Sequence, residues 1–176
     1  MLVIFSGLPG AGKTTLARAL AVRLQALYLR IDTIEQAIRH GLSPDGDVHD
    51  LGYRVAYDVA DENVRMGRSV IADSVNPIQL TRDAWLDVAR QAGVRAFEVE
   101  VRCSDADEHR RRVETRSSDV RGLKLPSWAD VVAREYEPWD REHVVIDTAE
   151  RSVEESVLTL LESVEWLRAS QNGAGF

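Results

Sequence analysis

The residues with the clearest chemistry are Gly7-Leu8-Pro9-Gly10-Ala11-Gly12-Lys13-Thr14. They fit G-x-x-x-x-G-K-[ST], the pattern of a phosphate-cradling loop. Glycines let the backbone close on a phosphate with no Cβ in the way, and they tolerate positive φ. Successive N–H groups then converge on the anion, and a following helix adds its N-terminal dipole. On this reading Gly7, Pro9, Gly10, Ala11, Gly12, Lys13, Thr14 and Thr15 bind a nucleotide. Lys13 brings a mobile cation to the β- and γ-phosphates, a catalytic role, and Thr14 offers its hydroxyl to Mg²⁺. ATP and Mg²⁺ are therefore expected. A chance glycine turn is the bland alternative. The context opposes it, with apolar Leu2-Val3-Ile4-Phe5 before the loop and a helical stripe after it.

Asp32, Asp73 and Asp147 each follow an apolar run. In an open parallel sheet, ligands sit beyond the carboxyl ends of the strands. Asp73 is read as the Mg²⁺ carboxylate that such a loop requires, with helix capping as the competing role. Asp32 is read as the general base that orients an acceptor hydroxyl and takes its proton; capping of the next helix is compatible with this. Asp147-Thr148 reads as a turn beside the nucleotide base. Arg110, Arg112, Arg116 and Arg121 precede or enter a stretch without periodicity. Arg112 and Arg116, four apart, are expected to share a helix face and reach phosphate. A solvated face paired with Asp107, Glu108 and Glu114 is the alternative.

Other residues read as structural. Cys103 has no nucleophile's surroundings, and the four histidines show no metal-ligand spacing. The four tryptophans read as packing residues, with Trp128 and Trp139 as candidate walls of an acceptor pocket.

The elements that must position these groups alternate strand and helix. Strands are expected at 2–5, 27–31, 69–72, 96–101 and 143–146. The fourth alternates apolar and acidic residues, which suggests a polar face or a place near an edge. The first helix carries Leu16, Leu20, Leu24 and Leu27 on one stripe. Further helices are expected over 33–40, 50–66 with Val55, Val59 and Val64 inward, 78–91, one capped by Ser104 with Asp107, one from Ser127 to about 136, and a last one opened by Ser152 with Glu155 and striped by residues from Val153 to Leu167. A turn falls at 43–46, a loop at 118–126 and a frayed tail at 171–176. The pattern predicts one three-layer α/β domain over 1–170 with a five-stranded, mainly parallel sheet.

The chain has 176 residues, 44% hydrophobic and 29% charged, a length suited to one domain. The net charge of −7 disfavours a nucleic-acid partner or an anionic membrane. One cysteine excludes an intrachain disulfide, no window approaches the ~18 apolar residues of a membrane span, and no targeting segment is visible. A cytoplasmic protein is expected, monomer or homodimer.

Taken together, Gly7 to Thr15, Ile31-Asp32-Thr33-Ile34, the stretch from Ile71 to Asn76, and the segment from Cys103 to Arg116 resemble the small P-loop kinases. The chain is most similar to the AAA-domain-like ATP-binding kinases that include chloramphenicol phosphotransferase, zeta toxin and the kinase domain of polynucleotide kinase. Leu125-Pro126-Ser127-Trp128 also resembles a stretch of uncharacterised members. The resemblance implies strand order 2-3-1-4-5, a small lid over about 117–127, and ATP-dependent phosphorylation of a hydroxyl on a small-molecule acceptor. It carries the base role onto Asp32 and the lid-arginine role onto Arg112 and Arg116. The alternatives are a polynucleotide or toxin-type (nucleotide-sugar) kinase and an NTPase acting on a protein partner. A switch GTPase is opposed by the lack of any Asn-Lys pair and by Asp73-Ser74-Val75-Asn76, where glycine would be needed. A motor needs domains this length does not hold, and an inactive binding module is opposed by intact Lys13, Thr14, Asp32 and Asp73.

Overall fold

The computed structural model describes residues 1–41, 48 and 50–172. The expected turn at 43–46, His49, residues 173–176 and the side chains of Trp166 and Leu167 lie outside the described residues. The strands are β1 (Leu2–Ser6), β2 (Leu27–Arg30), β3 (Val70–Asp73), β4 (Ala96–Arg102) and β5 (Val144–Asp147). The helices are α1 (Lys13–Leu24), α2 (Ile31–Gly41), α3 (Leu51–Arg65), α4 (Gln79–Gln91), α5 (Ala106–Thr115), α6 (Trp128–Val132) and α7 (Val153–Asn172). The strands form one parallel sheet in the order β2-β3-β1-β4-β5.

β1 runs down the middle, wholly buried, because Leu2-Val3-Ile4-Phe5 has no polar alternation to face water. Its side chains alternate between two cores. Val3 and Phe5 meet Leu16, Leu20, Val157 and Leu160 of α1 and α7. Leu2 and Ile4 meet Ala56, Ala60, Val64, Trp85 and Val88 of α3 and α4. Helices cover both faces, and the carboxyl ends of β1, β2 and β3 open on the same edge.

Several expected details are corrected. Ile31 and Asp32 belong to the first turn of α2, not to the end of a strand. Ile31 is 3% exposed because it plugs the α3–α4 core as the helix begins. Leu27 leaves the α1 stripe for β2. Val55 faces solvent, and Gly52, Ala56, Ala60, Asn63 and Val64 face inward, since small residues let α3 lie close. β4 lies near an edge, as its acidic alternation suggests, with only β5 outside it. It pairs with both β1 and β5, and its Glu98 and Glu100 are met by Arg141 and His143. The α5 cap is Asp105, which accepts from the Glu108 N–H at 2.9 Å, rather than Ser104. α6 keeps the expected Ser127–Asp130 capping box but stops at Val132. α7 continues through Asn172, two residues into the expected tail.

Candidate active site

The glycine loop joins β1 to α1 where the sequence requires it. Gly7, Gly10 and Gly12 all have positive φ. A Cβ at Gly7 would sit 2.1 Å from the Val101 carbonyl oxygen, and one at Gly10 would sit 2.4 Å from Val113 Cγ2. The loop therefore lies flat against β4 and α5, and only glycine fits. α5 supports it further. His109 is buried with Nε2 2.9 Å from the Pro9 carbonyl, and the Trp128 ring packs edge-on against the His109 ring. Thr148 Oγ1 donates to the Ala11 carbonyl at 2.9 Å.

Lys13 opens α1 and donates from Nζ to the Leu8 carbonyl at 2.9 Å. It is 8% exposed, and burial lowers its ammonium from 10.5 to about 8 against the raising influence of Asp73 and Asp32. Lys13 is thus a buried cation that hydrogen-bonds one carbonyl and has two carboxylates near it, with a contact ion pair to neither. An anion brought to Nζ would offset the cost of burying this charge.

Thr14 Oγ1 donates to Asp73 Oδ2 at 2.7 Å, and the Tyr28 hydroxyl donates to the same oxygen at 2.6 Å. Asp73 is 3% exposed. Burial, then the Asp73 charge, pushes the Tyr28 phenol well up, so it remains a donor. Thr14 and Asp73 make a pair of hard oxygen donors beside the loop. That suits Mg²⁺, which takes one or two protein oxygens and fills the rest of its shell with phosphate and water. Among the described residues no group of three or more His, Cys, Asp or Glu is gathered as a metal cluster.

A cleft of about 1020 Å³ runs from this loop across the end of β2 and β3 to α2 and the 117–127 segment. Asp32 lines it, held by Arg30 Nε and Nη2 at 3.3 and 3.2 Å. Glu35, one turn further along α2, lines the same wall. Its acid is raised by burial first and by Asp32 second. Tyr53 and Ser74 complete this end, with the Tyr53 phenol pushed up to about 12 by burial.

The two arginines part company. α5 ends at Thr115, so Arg116 is its extended C-cap and the two do not share a helix face. Arg112 is engaged: it donates to Thr148 Oγ1 at 2.7 Å, to the Thr148 carbonyl at 2.9 Å and to Glu108 at 2.5 Å. Arg116 also lines the cleft, with Nε and Nη2 buried and without a hydrogen-bond partner. Burial lowers its guanidinium, with Asp32 opposing the shift. Arg110 pairs with Glu114 on the surface, and Arg121 is exposed.

Of the remaining candidates, Asp147 accepts from the N–H groups of Ser104 and Ala149 and shapes the turn before Thr148. Trp128 and Trp139 do not line the cleft. The first packs on His109, and the second stacks on His143 at a centroid distance of 4.0 Å. Trp85 is fully buried and Cys103 is buried. Sequence reasoning missed Tyr28, Arg30, Glu35 and His109. His109 and Val113, four apart on a helix and both buried, were the one local signal of a face turned to the loop.

The family model described as "AAA domain" matches residues 2–138. An adenylyl-sulfate kinase from Synechococcus sp. is 32% identical over 178 residues, covering 92% of each chain. The crystal structure of a putative kinase from Chloroflexus aurantiacus superposes with a TM-score of 0.72 at 21% identity, covering 92% of this chain and 96% of that one. The Mycobacterium tuberculosis APS kinase, solved with AMPPNP and APS, gives a TM-score of 0.70 at 22% identity, covering 93% and 96%. No helix among the described residues is long and apolar enough to cross a membrane.

Proposed function

Given that the chain belongs to the AAA domain family, as one of its small P-loop kinases, we propose that it transfers the γ-phosphate of Mg-ATP to a hydroxyl of a small-molecule acceptor. One observation carries this reading: a single cleft is lined by Lys13 and Thr14 of the glycine loop and by Asp32. Its volume of about 1020 Å³ stands at the top of the roughly 300–1,000 Å³ usual for single-ligand pockets, room enough for a nucleotide and a small acceptor.

The loop amides and Lys13 bind the triphosphate. Thr14 and Asp73 would hold a Mg²⁺ ion, which would supply charge neutralisation at the phosphates. Asp32 orients the acceptor hydroxyl and takes its proton as the oxygen bonds to the γ-phosphorus. The bond to the β–γ bridging oxygen breaks, and ADP departs with its electron pair. Arg116, half-buried with its Nε and Nη2 unpartnered, meets the charge on the transferring group. Arg112 steadies the nucleotide end through Thr148.

The test is a panel of hydroxyl compounds with Mg-ATP, scored for phosphorylated product by ³¹P NMR. Adenylyl sulfate heads the panel because the Synechococcus relative bears its name. Nucleosides, sugars, sugar acids, nucleotide sugars and oligonucleotides follow. A small-molecule product supports the reading. Product from oligonucleotides alone, or ADP without any phosphorylated product, overturns it.

A further inference from the structure

The segment between α5 and α6 is tied to the core through one carboxylate. Asp119 meets Arg18 of α1 at 2.5 Å and accepts from Arg30 Nη1 at 2.7 Å. Arg30 donates from its other edge, Nε and Nη2, to Asp32 Oδ2. One guanidinium thus spans a carboxylate of the 117–127 segment and the carboxylate assigned as base. Only a planar fork with five donors can do this; an ammonium is a point charge with no second edge.

The burial pattern says which link matters. Asp119 and Arg18 are each 49% exposed, so their pairing alone is worth little. The Arg30 side chain is 9% exposed, and its pairs are correspondingly less screened. Arg30 and Arg18 together hold the Asp119 acid down to about 2, so it is ionised throughout the working range.

Two further contacts bring the same segment to the same place. Gly122 lies on α2, where a Cβ would come within 2.9 Å of Gln36 Nε2 and 3.1 Å of His40 Nε2. At the start of the segment, Arg116 stands close enough to Asp32 for the two charges to be coupled. The segment thus touches α2 beside Gln36 and His40 and reaches Asp32 through the Arg30 guanidinium.

We propose that residues 117–127 form a lid latched by Asp119, and that Arg30 is the positioning residue through which the latched lid orients the Asp32 carboxylate. The second half rests on the reading of Asp32 as base. Unlatching leaves Arg30 held by Asp32 alone, so both side chains regain rotamers and the acceptor hydroxyl is met by a base in many orientations.

Asp119→Asn, Asp119→Glu and Arg30→Lys test this in two arms. The first uses Mg-AMPPNP without an acceptor and follows amide exchange. Asp119→Asn is expected to speed exchange across 117–127 about tenfold while the β1 and β3 amides hold. Wild-type exchange there overturns the latch. The second arm uses Mg-ATP and a panel compound that wild type phosphorylates. Asp119→Asn and Arg30→Lys are expected to lower kcat about ten- to a hundredfold with KM for ATP within about twofold, and Asp119→Glu to recover part of the loss. An unchanged kcat, or a loss that Asp119→Glu does not relieve and that follows melting temperature alone, overturns the coupling to Asp32. If wild type phosphorylates nothing in the panel, the reading of Asp32 falls and the coupling with it. The exchange arm still decides the latch.

Discussion

Thr14 Oγ1 donates to Asp73 Oδ2 at 2.7 Å, across 59 residues of sequence, and so fixes the first turn of α1 to the carboxyl end of β3. The link brings the glycine loop and the third strand to one point, where a hydroxyl and a carboxylate can share a hard cation. Asp73→Asn is expected to raise the Mg²⁺ concentration needed for half-maximal rate by at least about tenfold while leaving the fold intact. Magnesium titrations of initial rate, with circular dichroism as control, check this. An unchanged magnesium dependence would return Asp73 to a purely structural bond with Thr14 and Tyr28.

Lys13 is a buried cation whose folded pKa of about 8 lies below its ordinary 10.5. Below about pH 8 the ammonium is charged in both states, and the folded chain bears the whole burial penalty, about 3 kcal/mol. Between about 8 and 10.5 the unfolded chain holds a proton that the folded chain has lost, so stability rises with pH there. Lys13→Met is expected to melt higher than wild type at pH 7 without nucleotide, less the roughly 1 kcal/mol of its bond to the Leu8 carbonyl, and to gain nothing from Mg-ATP. Wild type at pH 8.5 is expected to take up protons on binding Mg-ATP, read by calorimetry in buffers of different ionisation enthalpy. Proton release there would contradict the buried-cation account.

Gly10→Ala places a methyl at φ +87, 2.4 Å from Val113 Cγ2. Strain of about 1–3 kcal/mol follows from the backbone alone. The variant is expected to lose at least that in urea denaturation and to bind Mg-ATP more weakly. Gly41→Ala, with nothing within 4 Å and no positive φ, is the matched control and is expected to be neutral.

Arg112 and Arg116 are expected to fail differently. Arg116→Ala removes an unpartnered cation from the cleft and should lower kcat by about 10²–10³ with little change in KM for ATP. Arg112→Ala frees Thr148 and should raise KM for ATP instead, because Thr148 also holds the loop at Ala11. Equal effects on both parameters would show that the two arginines act as one group.

Much of the fold is legible in the sequence because the sheet is buried on both faces. Leu2-Val3-Ile4-Phe5 and Val70-Ile71-Ala72 read as inner strands from their unbroken apolar runs, and the strand order is the one that the resemblance to the small P-loop kinases implies. What escaped has physical reasons. Apolar size picked Val55 as inward, whereas close helix packing selects Gly52, Ala56 and Ala60. Ile31 reads as a strand residue because burial looks alike in strand and helix over one position. Helical periodicity carried Arg116 onto the Arg112 face, but after Val113 no apolar residue anchors another turn, and the chain extends. The Arg30–Asp119 pair is set by contact across 89 residues, which no local period reports. Tyr28 reaches Asp73 only because β2 and β3 are neighbours.

Asp32→Asn tests the account most directly, since it keeps size and a hydrogen-bonding side chain but removes the carboxylate proposed as base. With a panel acceptor and saturating Mg-ATP, phosphoryl transfer is expected to fall by about 10²–10⁴ while the Kd for Mg-AMPPNP stays within about twofold of wild type. Transfer at the wild-type rate, or a loss matched by equal weakening of nucleotide binding, would contradict it.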